Sequence, residues 1–389
     1  METMAHLNTI LGQMLQLVPR HVFDHIVDTH SWAGPKPRTF SYWSQFIAML
    51  YAQFSSRKSL RDLVFSLNQH VKKLYHLGQS EVKRSTLAEA NEQRPAIIFE
   101  EVYHKLLQRF YSEMTRKNKR QSKIKILDST TIDLCASVFP WASFRARKAG
   151  IKLHTVITDM LPKCVILTEA KVHDIQVGKT IQLDPGDLFI IDRGYIDYAW
   201  LHSLHQKGAW FVTRLKANAC FEVIETLENP DPDRVLADQI ICLNSKHGID
   251  SYPDVLRRVH YRDPETGKEY VFLTNRYDLS ALAIADLYRQ RWQIELFFKW
   301  VKQNLKIKTF YGTSRNAVLI QIWTALIAYL LLTWLKFKST INIGILELTR
   351  LVQTMLMERR SLWEIICPKK RPPSSADNQI PLFNFCAGH

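Results

Sequence analysis

Apolar positions along the chain follow two different rhythms. Up to about residue 112 they recur at helical spacing, as in SQFIAMLYAQF (44–54) and SLRDLVFSLNQHVKKLYHL (59–77). The opening stretch METMAHLNTILGQMLQLVPRH lacks a basic leader before its apolar run and reads as a folded helix, not a signal peptide. After the turn Gly78-Gln79-Ser80, Thr86-Leu87-Ala88-Glu89 has the pattern of a capping box and predicts a new helix. Two readings of this helix, break and helix stay open. One is a helix-turn-helix with Lys83 and Arg84 against a DNA backbone; the other is an ordinary helical hairpin.

From residue 122 onward the rhythm becomes that of strands. KIKILDSTTIDL and IKLHTVITDM alternate, and PKCVILTEAKV is mostly apolar and β-branched. The short break between the latter two predicts an antiparallel meander. LFIIDRGY then reads as a buried strand, residues 195–207 as a helix and AWFVTRLKA as a further strand. Three paired strands followed by strand, helix and strand predict a mixed sheet in an α/β domain. CFEVIETL, VLADQIICL, VLRRVHYRD and KEYVFLTN predict four more strands between residues 218 and 276. The chain turns helical again from about 280 to 366.

Ala317–Leu335 contains 19 residues without a charge, long enough to cross a bilayer. Gln321, Thr324 and Thr333 interrupt it and no second such segment exists, so it reads as a core helix and a membrane span is the outlier. The tail PKKRPPSSADNQIPLFNFCAGH is rich in Pro and Ser and reads as a solvated extension. Leu348, Leu351, Val352, Met355 and Leu356 form an apolar stripe suited to packing within the chain or to a dimer contact.

Charge adds a partner class. The 389 residues carry 52 Lys plus Arg against 37 Asp plus Glu, a formal charge of +15. Such an excess favours a polyanion, most often nucleic acid. The run RKNKRQSKIK (116–125) fits a linker or a backbone-contacting clamp. Six scattered cysteines without a CxxC pair suggest neither a zinc site nor a disulfide framework, and fit a reducing cytosol.

Three acids draw attention. Asp128 shares a strand face with Ile124 and Ile126, whereas Lys123, Lys125 and Asp133 point the other way. A strand-end turn or cap would also account for Asp128. Asp192 directly follows Leu188-Phe189-Ile190-Ile191, at the carboxyl end of a buried strand, where open α/β sheets place their ligands. Asp184 and Asp187 precede that strand and fit a turn. Glu295 belongs to a helical pattern with Tyr288, Arg291 and Lys302. At spacings of 3, 7 and 14 from Tyr288, these four fall within an arc of about 60° on one continuous helix. A solvated face with an i,i+4 ion pair would explain the charges but not Tyr288. Three carboxylates without a nucleophilic triad point to metal-assisted phosphoryl transfer. Hard oxygen ligands suit Mg²⁺ or Mn²⁺, two ions about 4 Å apart.

At these residues the sequence resembles the DDE transposases of bacterial insertion sequences. More narrowly, it resembles the family with the signature Tyr, two residues, Arg, three residues, Glu, six residues, Lys (YREK), matched by Tyr288, Arg291, Glu295 and Lys302. LDST around Asp128 and IDRGY around Asp192 resemble that family's first two acidic motifs. LVPRHVFD, YWSQF, SLRDLV, LYHLG and RSTLAEANEQRP resemble the domain that often precedes such a core.

The resemblance implies a ribonuclease-H-like mixed sheet core with a β-rich insertion, after a helical N-terminal domain and before C-terminal helices. The expected units are a DNA-binding domain over 1–115, core over 116–217, insertion over 218–276, core with the Glu helix over 277–312, C-terminal helices over 313–366 and a tail over 367–389. It further implies cut-and-paste transposition with a hairpin intermediate, catalysed by Asp128, Asp192 and Glu295 as ligands of two Mg²⁺ or Mn²⁺ ions. The partners implied are double-stranded DNA, at transposon terminal inverted repeats and target, and a second copy in a homodimer on DNA. The place is the bacterial cytoplasm, at the nucleoid, with no membrane. Tyr288, Arg291 and Lys302 would hold phosphates, and Trp292 would stack on a displaced base, with Tyr270 and Phe272 weaker candidates. Arg145, Arg147, Lys148, Lys152, Arg214 and Lys216 are either further backbone contacts or generic surface charge. Two alternatives are a metal-dependent DNA nuclease without strand transfer and an inactive transposase-derived DNA-binding protein.

Overall fold

The computed structural model describes residues 8–30, 37, 39–55, 57–118, 123–145, 148–159, 161–228, 231–304 and 310–368. Ten strands form one mixed sheet: β1 Ile124–Leu134, β2 Ser143–Arg145, β3 Lys148–Thr158, β4 Leu161–Glu169, β5 Leu188–Ile191, β6 Trp210–Arg214, β7 Phe221–Thr226, β8 Val235–Leu243, β9 Leu256–Arg262 and β10 Glu269–Thr274. Their order is β2-β3-β1-β5-β6-β10-β9-β8-β7, with β4 paired to β3 off this path. β5 lies parallel to both β1 and β6, and the other pairings are antiparallel. All four residues of β5 are buried, as expected of a parallel strand covered on both faces. Its crossover to β6 is the helix Tyr198–Gln206, capped by Asp197, which accepts from Trp200 N at 2.9 Å.

The strands read between 218 and 276 continue this sheet. β10 pairs with β6, so β9, β8 and β7 extend it outward instead of forming a separate layer. A buried ion pair locks the extension: Asp238 on β8 accepts from Arg257 Nε at 2.8 Å and from its terminal nitrogen at 2.7 Å. Arg257 also donates to the Tyr277 carbonyl at 3.2 Å, tying β9 to the loop that leads into the helix Ala281–Arg289.

The sheet's alternation divides the core. Leu127 packs on one side with Trp200 and Leu201, and Ile126 on the other with the N- and C-terminal helices. Asp128 continues the Ile126 side. Lys125, on the opposite face, is not solvated. It is buried against Asp187, with Asp184 at 3.5 Å, because the turn into β5 brings both carboxylates beneath it. Within the basic run, residues 119–122 lie outside the described residues.

The helix Arg315–Lys338 is apolar enough to cross a membrane by length and composition, but 94% of its apolar window is buried within the fold. It packs against the helices Tyr42–Ser55 and Ile97–Asn118. Its threonines bond back along the helix, Thr324 to the Ile320 carbonyl at 2.7 Å and Thr333 to that of Tyr329 at 2.9 Å. The segment is therefore a core helix. Leu348, Val352 and Leu356 of the C-terminal stripe are buried in the same core.

Two N-terminal expectations are corrected. The long pattern over 59–77 breaks into Leu60–Asn68, Val71–Leu74 and a short turn, where the Asn68 side chain exchanges two 3.0 Å hydrogen bonds with the Val82 backbone. The next helix is Arg84–Gln93, with Lys83 at its N-cap and no side-chain cap. Leu87 N already bonds the Lys83 carbonyl at 3.1 Å, so Thr86 lies inside the helix and Thr86-Leu87-Ala88-Glu89 is no capping box.

Candidate active site

Leu127 of β1 stands opposite Ile191 of β5 in the parallel register. Asp128 and Asp192 are the next residues, one within β1 and the other directly after β5. Each is held by local backbone: Asp128 Oδ1 accepts from Ser129 N at 2.7 Å and Asp192 Oδ2 from Gly194 N at 3.1 Å.

The third acid arrives on a broken helix. The spacing predicts one continuous helix from 284 to 302, but the chain forms Ala281–Arg289 and Trp292–Asn304. The break is a tight turn of i to i−3 bonds, with Gln290 N to the Leu287 carbonyl at 3.1 Å and Arg291 N to that of Tyr288 at 3.0 Å. The 60° arc computed for one straight helix therefore does not apply. Arg291 leaves from this turn, donates to Asp128 Oδ2 at 2.9 Å and makes a second, close bond to Glu295 Oε1.

Beside Glu295 opens a pocket of about 320 Å³ lined by Arg214, Tyr270, Phe272, Tyr288, Arg291 and Trp292, among others. Its aromatic wall is layered. Tyr270 and Phe272 stack at 6.1 Å and 6°, Phe272 meets Tyr288 at 5.0 Å, and the Arg214 guanidinium lies 5.2 Å from the Tyr270 ring. Trp292 is 61% exposed at the rim. Two buried polar atoms, the Tyr288 hydroxyl and Arg291 Nε, have no hydrogen-bond partner.

Burial dominates the electrostatics. It pushes the Asp128 carboxyl up to about 6; Ser129 N–H and Arg291 oppose this, while the Asp192 and Asp174 charges add to it. Burial pushes the Tyr288 phenol up to about 12, so it remains a proton donor at neutral pH.

A family model described as "Transposase DDE domain" matches residues 119–331, more than half of the chain. The chain belongs to the DDE transposases. A second model, a domain of unknown function (DUF4372), matches residues 6–80 of the transposase. The protein named as transposase y4zB of Sinorhizobium fredii is 36% identical over 311 residues, covering 78% of this chain and 84% of its own. The protein named as transposase for insertion sequence element IS5377 of Geobacillus stearothermophilus is 30% identical over 262 residues, 64% of this chain and 68% of its own. Among solved structures, the piggyBac transposase synaptic complex with hairpin DNA aligns with a TM-score of 0.47 and 11% identity, over 97% of this chain and 89% of that one.

Among the transposase's described residues, no three Asp, Glu, His or Cys side chains stand close enough to share one ion. Asp128 and Glu295 share a guanidinium instead. Their chemistry still fits a hard divalent cation: the donors are carboxylate oxygens, and a cation already stands between two of them.

A fourth carboxylate beside the site was not singled out from sequence. Asp174 Oδ1 accepts from Ser129 Oγ at 2.6 Å, with Lys152 Nζ at 3.3 Å. Its sequence signal is slight, an acid just past the end of β4. Lys152 is thus engaged inside the fold. Lys216 donates to the Ile196 carbonyl at 3.3 Å and braces the loop after Asp192. Lys302 is exposed in the last turn of its helix and does not line the pocket. Arg145 and Lys148 pair across the β2–β3 hairpin through their backbones, while their side chains and all of Arg147 lie outside the described residues.

Proposed function

We propose that this transposase moves a bacterial insertion sequence by cut-and-paste transposition, cleaving the 3′ ends of the element and joining them to target DNA at one site. The observation that carries the reading is the Arg291 bridge between Asp128 and Glu295 beside Asp192, next to two unpartnered buried donors. Asp128, Asp192 and Glu295 would hold two Mg²⁺ or Mn²⁺ ions. When bound, such ions activate the attacking hydroxyl and stabilise the departing 3′-oxygen.

The chain's own residues do the rest. Tyr288 offers its hydroxyl, and Arg291 its free Nε, to phosphate oxygens of the DNA backbone. Trp292 presents an exposed indole on which a displaced base can stack, as a hairpin intermediate requires. Arg214 and Tyr270 form the facing wall of the pocket. Lys302 contacts the backbone farther along. We further assign the chain to the YREK subgroup, a reading supported by the spacing of Tyr288, Arg291, Glu295 and Lys302. The succession of β4, β3, β1, β5 and β6, with one acid on β1 and one directly after β5, supports a ribonuclease-H-like core. The helical region before β1 would bind the terminal inverted repeats, and two copies would pair the ends, in the cytoplasm at the nucleoid.

Asp192→Asn tests the reading. It should abolish cleavage of element-end DNA while end binding stays within a few fold, and excess EDTA should abolish cleavage by the natural protein. Unchanged cleavage in either experiment contradicts the proposal.

A further inference from the structure

Behind the acids lies a polar network that the proposed chemistry does not use. Asp174, the first residue of the helix Asp174–Gly178, accepts from Ser129 Oγ at 2.6 Å. Ser129 in turn gives its backbone N–H to Asp128 Oδ1 at 2.7 Å. One residue therefore links the two carboxylates, by hydroxyl on one side and amide on the other. Gly194 lies between Asp174 and Asp192: a Cβ there would stand 3.7 Å from Asp174 Oδ2 and 3.5 Å from Asp192 Oδ2. Asp174 thus stands behind both Asp128 and Asp192.

Asp174 is itself fixed. Lys152 Nζ stands 3.3 Å from its Oδ1 and donates to the Val172 carbonyl at 2.9 Å. His154 Nδ1 lies 3.5 Å from the same oxygen. That ring is 1% exposed and wedged between Thr168 Oγ1 at 3.0 Å and the Tyr195 hydroxyl at 3.3 Å. A surface carboxylate would need no such support. Aspartates that act through a neighbour gain from it, because a fixed partner holds the reacting group in one geometry.

We infer that Asp174 is a positioning residue for transposition: through Ser129 it holds the Asp128 carboxylate in the orientation that receives the metal ion. The inference rests on the proposed function of Asp128 and Asp192. It assigns Asp174 no contact with DNA or the reacting phosphate.

The test uses the full chain, with Mn²⁺ alone as the first probe. Asp174→Ala should weaken Mn²⁺ binding measured without DNA by about 10- to 100-fold, the range typical of lost partners of metal ligands. On element-end DNA it should lower kcat by a similar factor and leave KM unchanged. Asp174→Asn keeps an oxygen acceptor for Ser129 and should recover most of the loss. Ser129→Ala should reproduce the Asp174→Ala defect, and the double variant should be no worse than either single one. Thermal melting selects variants that remain folded; the near-isosteric Asp174→Asn and Ser129→Ala keep the test alive if Asp174→Ala unfolds. Unchanged Mn²⁺ affinity and kcat in Ser129→Ala, additive losses in the double variant, or a loss confined to KM would each overturn the inference. Asp192→Asn run in parallel separates the two ideas. If it cleaves normally the active-site reading fails, whereas its expected defect beside normal Asp174 and Ser129 variants removes only the role of Asp174.

Discussion

Asp128 and Arg291 are separated by 163 residues along the chain and by 2.9 Å in space. That contact joins the first acidic strand to the broken helix bearing Glu295. The guanidinium serves there as a counter-ion that holds two carboxylates together. Arg291 keeps its buried Nε without a partner, and the proposed function gives that atom to a DNA phosphate.

Tyr288→Phe separates binding from folding. The hydroxyl is buried without a partner, so its removal should leave the melting temperature unchanged or raised. If it serves a phosphate, affinity for element-end DNA should fall about 10-fold, the value of one hydrogen bond to a charged group. Calorimetry and fluorescence anisotropy read the two effects.

Trp292→Ala should impair hairpin formation and resolution more than the first nick, because stacking matters once a base has left the duplex. Time courses on labelled ends resolve the steps. Equal loss at both steps would remove the stacking role.

The Asp238–Arg257 pair tests the extended half of the sheet. Both side chains are buried, and Arg257 also holds the loop leading to Tyr288. Asp238→Ala leaves a buried guanidinium without its carboxylate and should cost about 3–5 kcal/mol in urea unfolding.

Two buried groups give metal-free stability opposite pH slopes. Burial lowers the His154 imidazole to about 4, so the stability it contributes above its ordinary value of 6.5 is lost as pH falls through about 4. Burial raises the Asp128 carboxyl to about 6, so the stability it contributes below its ordinary 3.8 is lost as pH rises through about 6. Each shift corresponds to about 3 kcal/mol, and the two offset in the natural protein. Asp128→Asn should therefore gain stability over it between pH 4 and 7, and His154→Gln should lose relative stability over the same interval. Urea titrations across that range measure both; slopes of the reverse sign would contradict the assignments.

Much of this architecture is legible in the residues themselves. The alternation of KIKILDSTTIDL and the run Leu188–Ile191 mark β1 and β5, and the placement of Asp192 follows from where that run stops. The apolar segment within Arg315–Lys338 is a core helix, as its interrupting Gln and Thr residues suggest. Other features depend on long-range pairing. That β10 returns to β6 is decided between residues about 60 positions apart, which local periodicity does not report. The break at Gln290-Arg291 is invisible because i to i−3 bonds scarcely disturb an apolar pattern. For Lys125, alternation assigns a face but not the carboxylates waiting on it. Asp174 carries no local signal because the hydroxyl it accepts from, that of Ser129, lies 45 residues away in the chain.

The convergence of Asp128, Asp192 and Glu295 on divalent ions can be observed directly. Crystals of the protein with element-end DNA and Mn²⁺, measured at the manganese edge, should show anomalous peaks bonded to Asp128, Asp192 and Glu295, with a DNA phosphate beside Arg291. Anomalous density elsewhere, with Arg291 still joining Asp128 to Glu295 and no manganese on any of the three, would contradict the account.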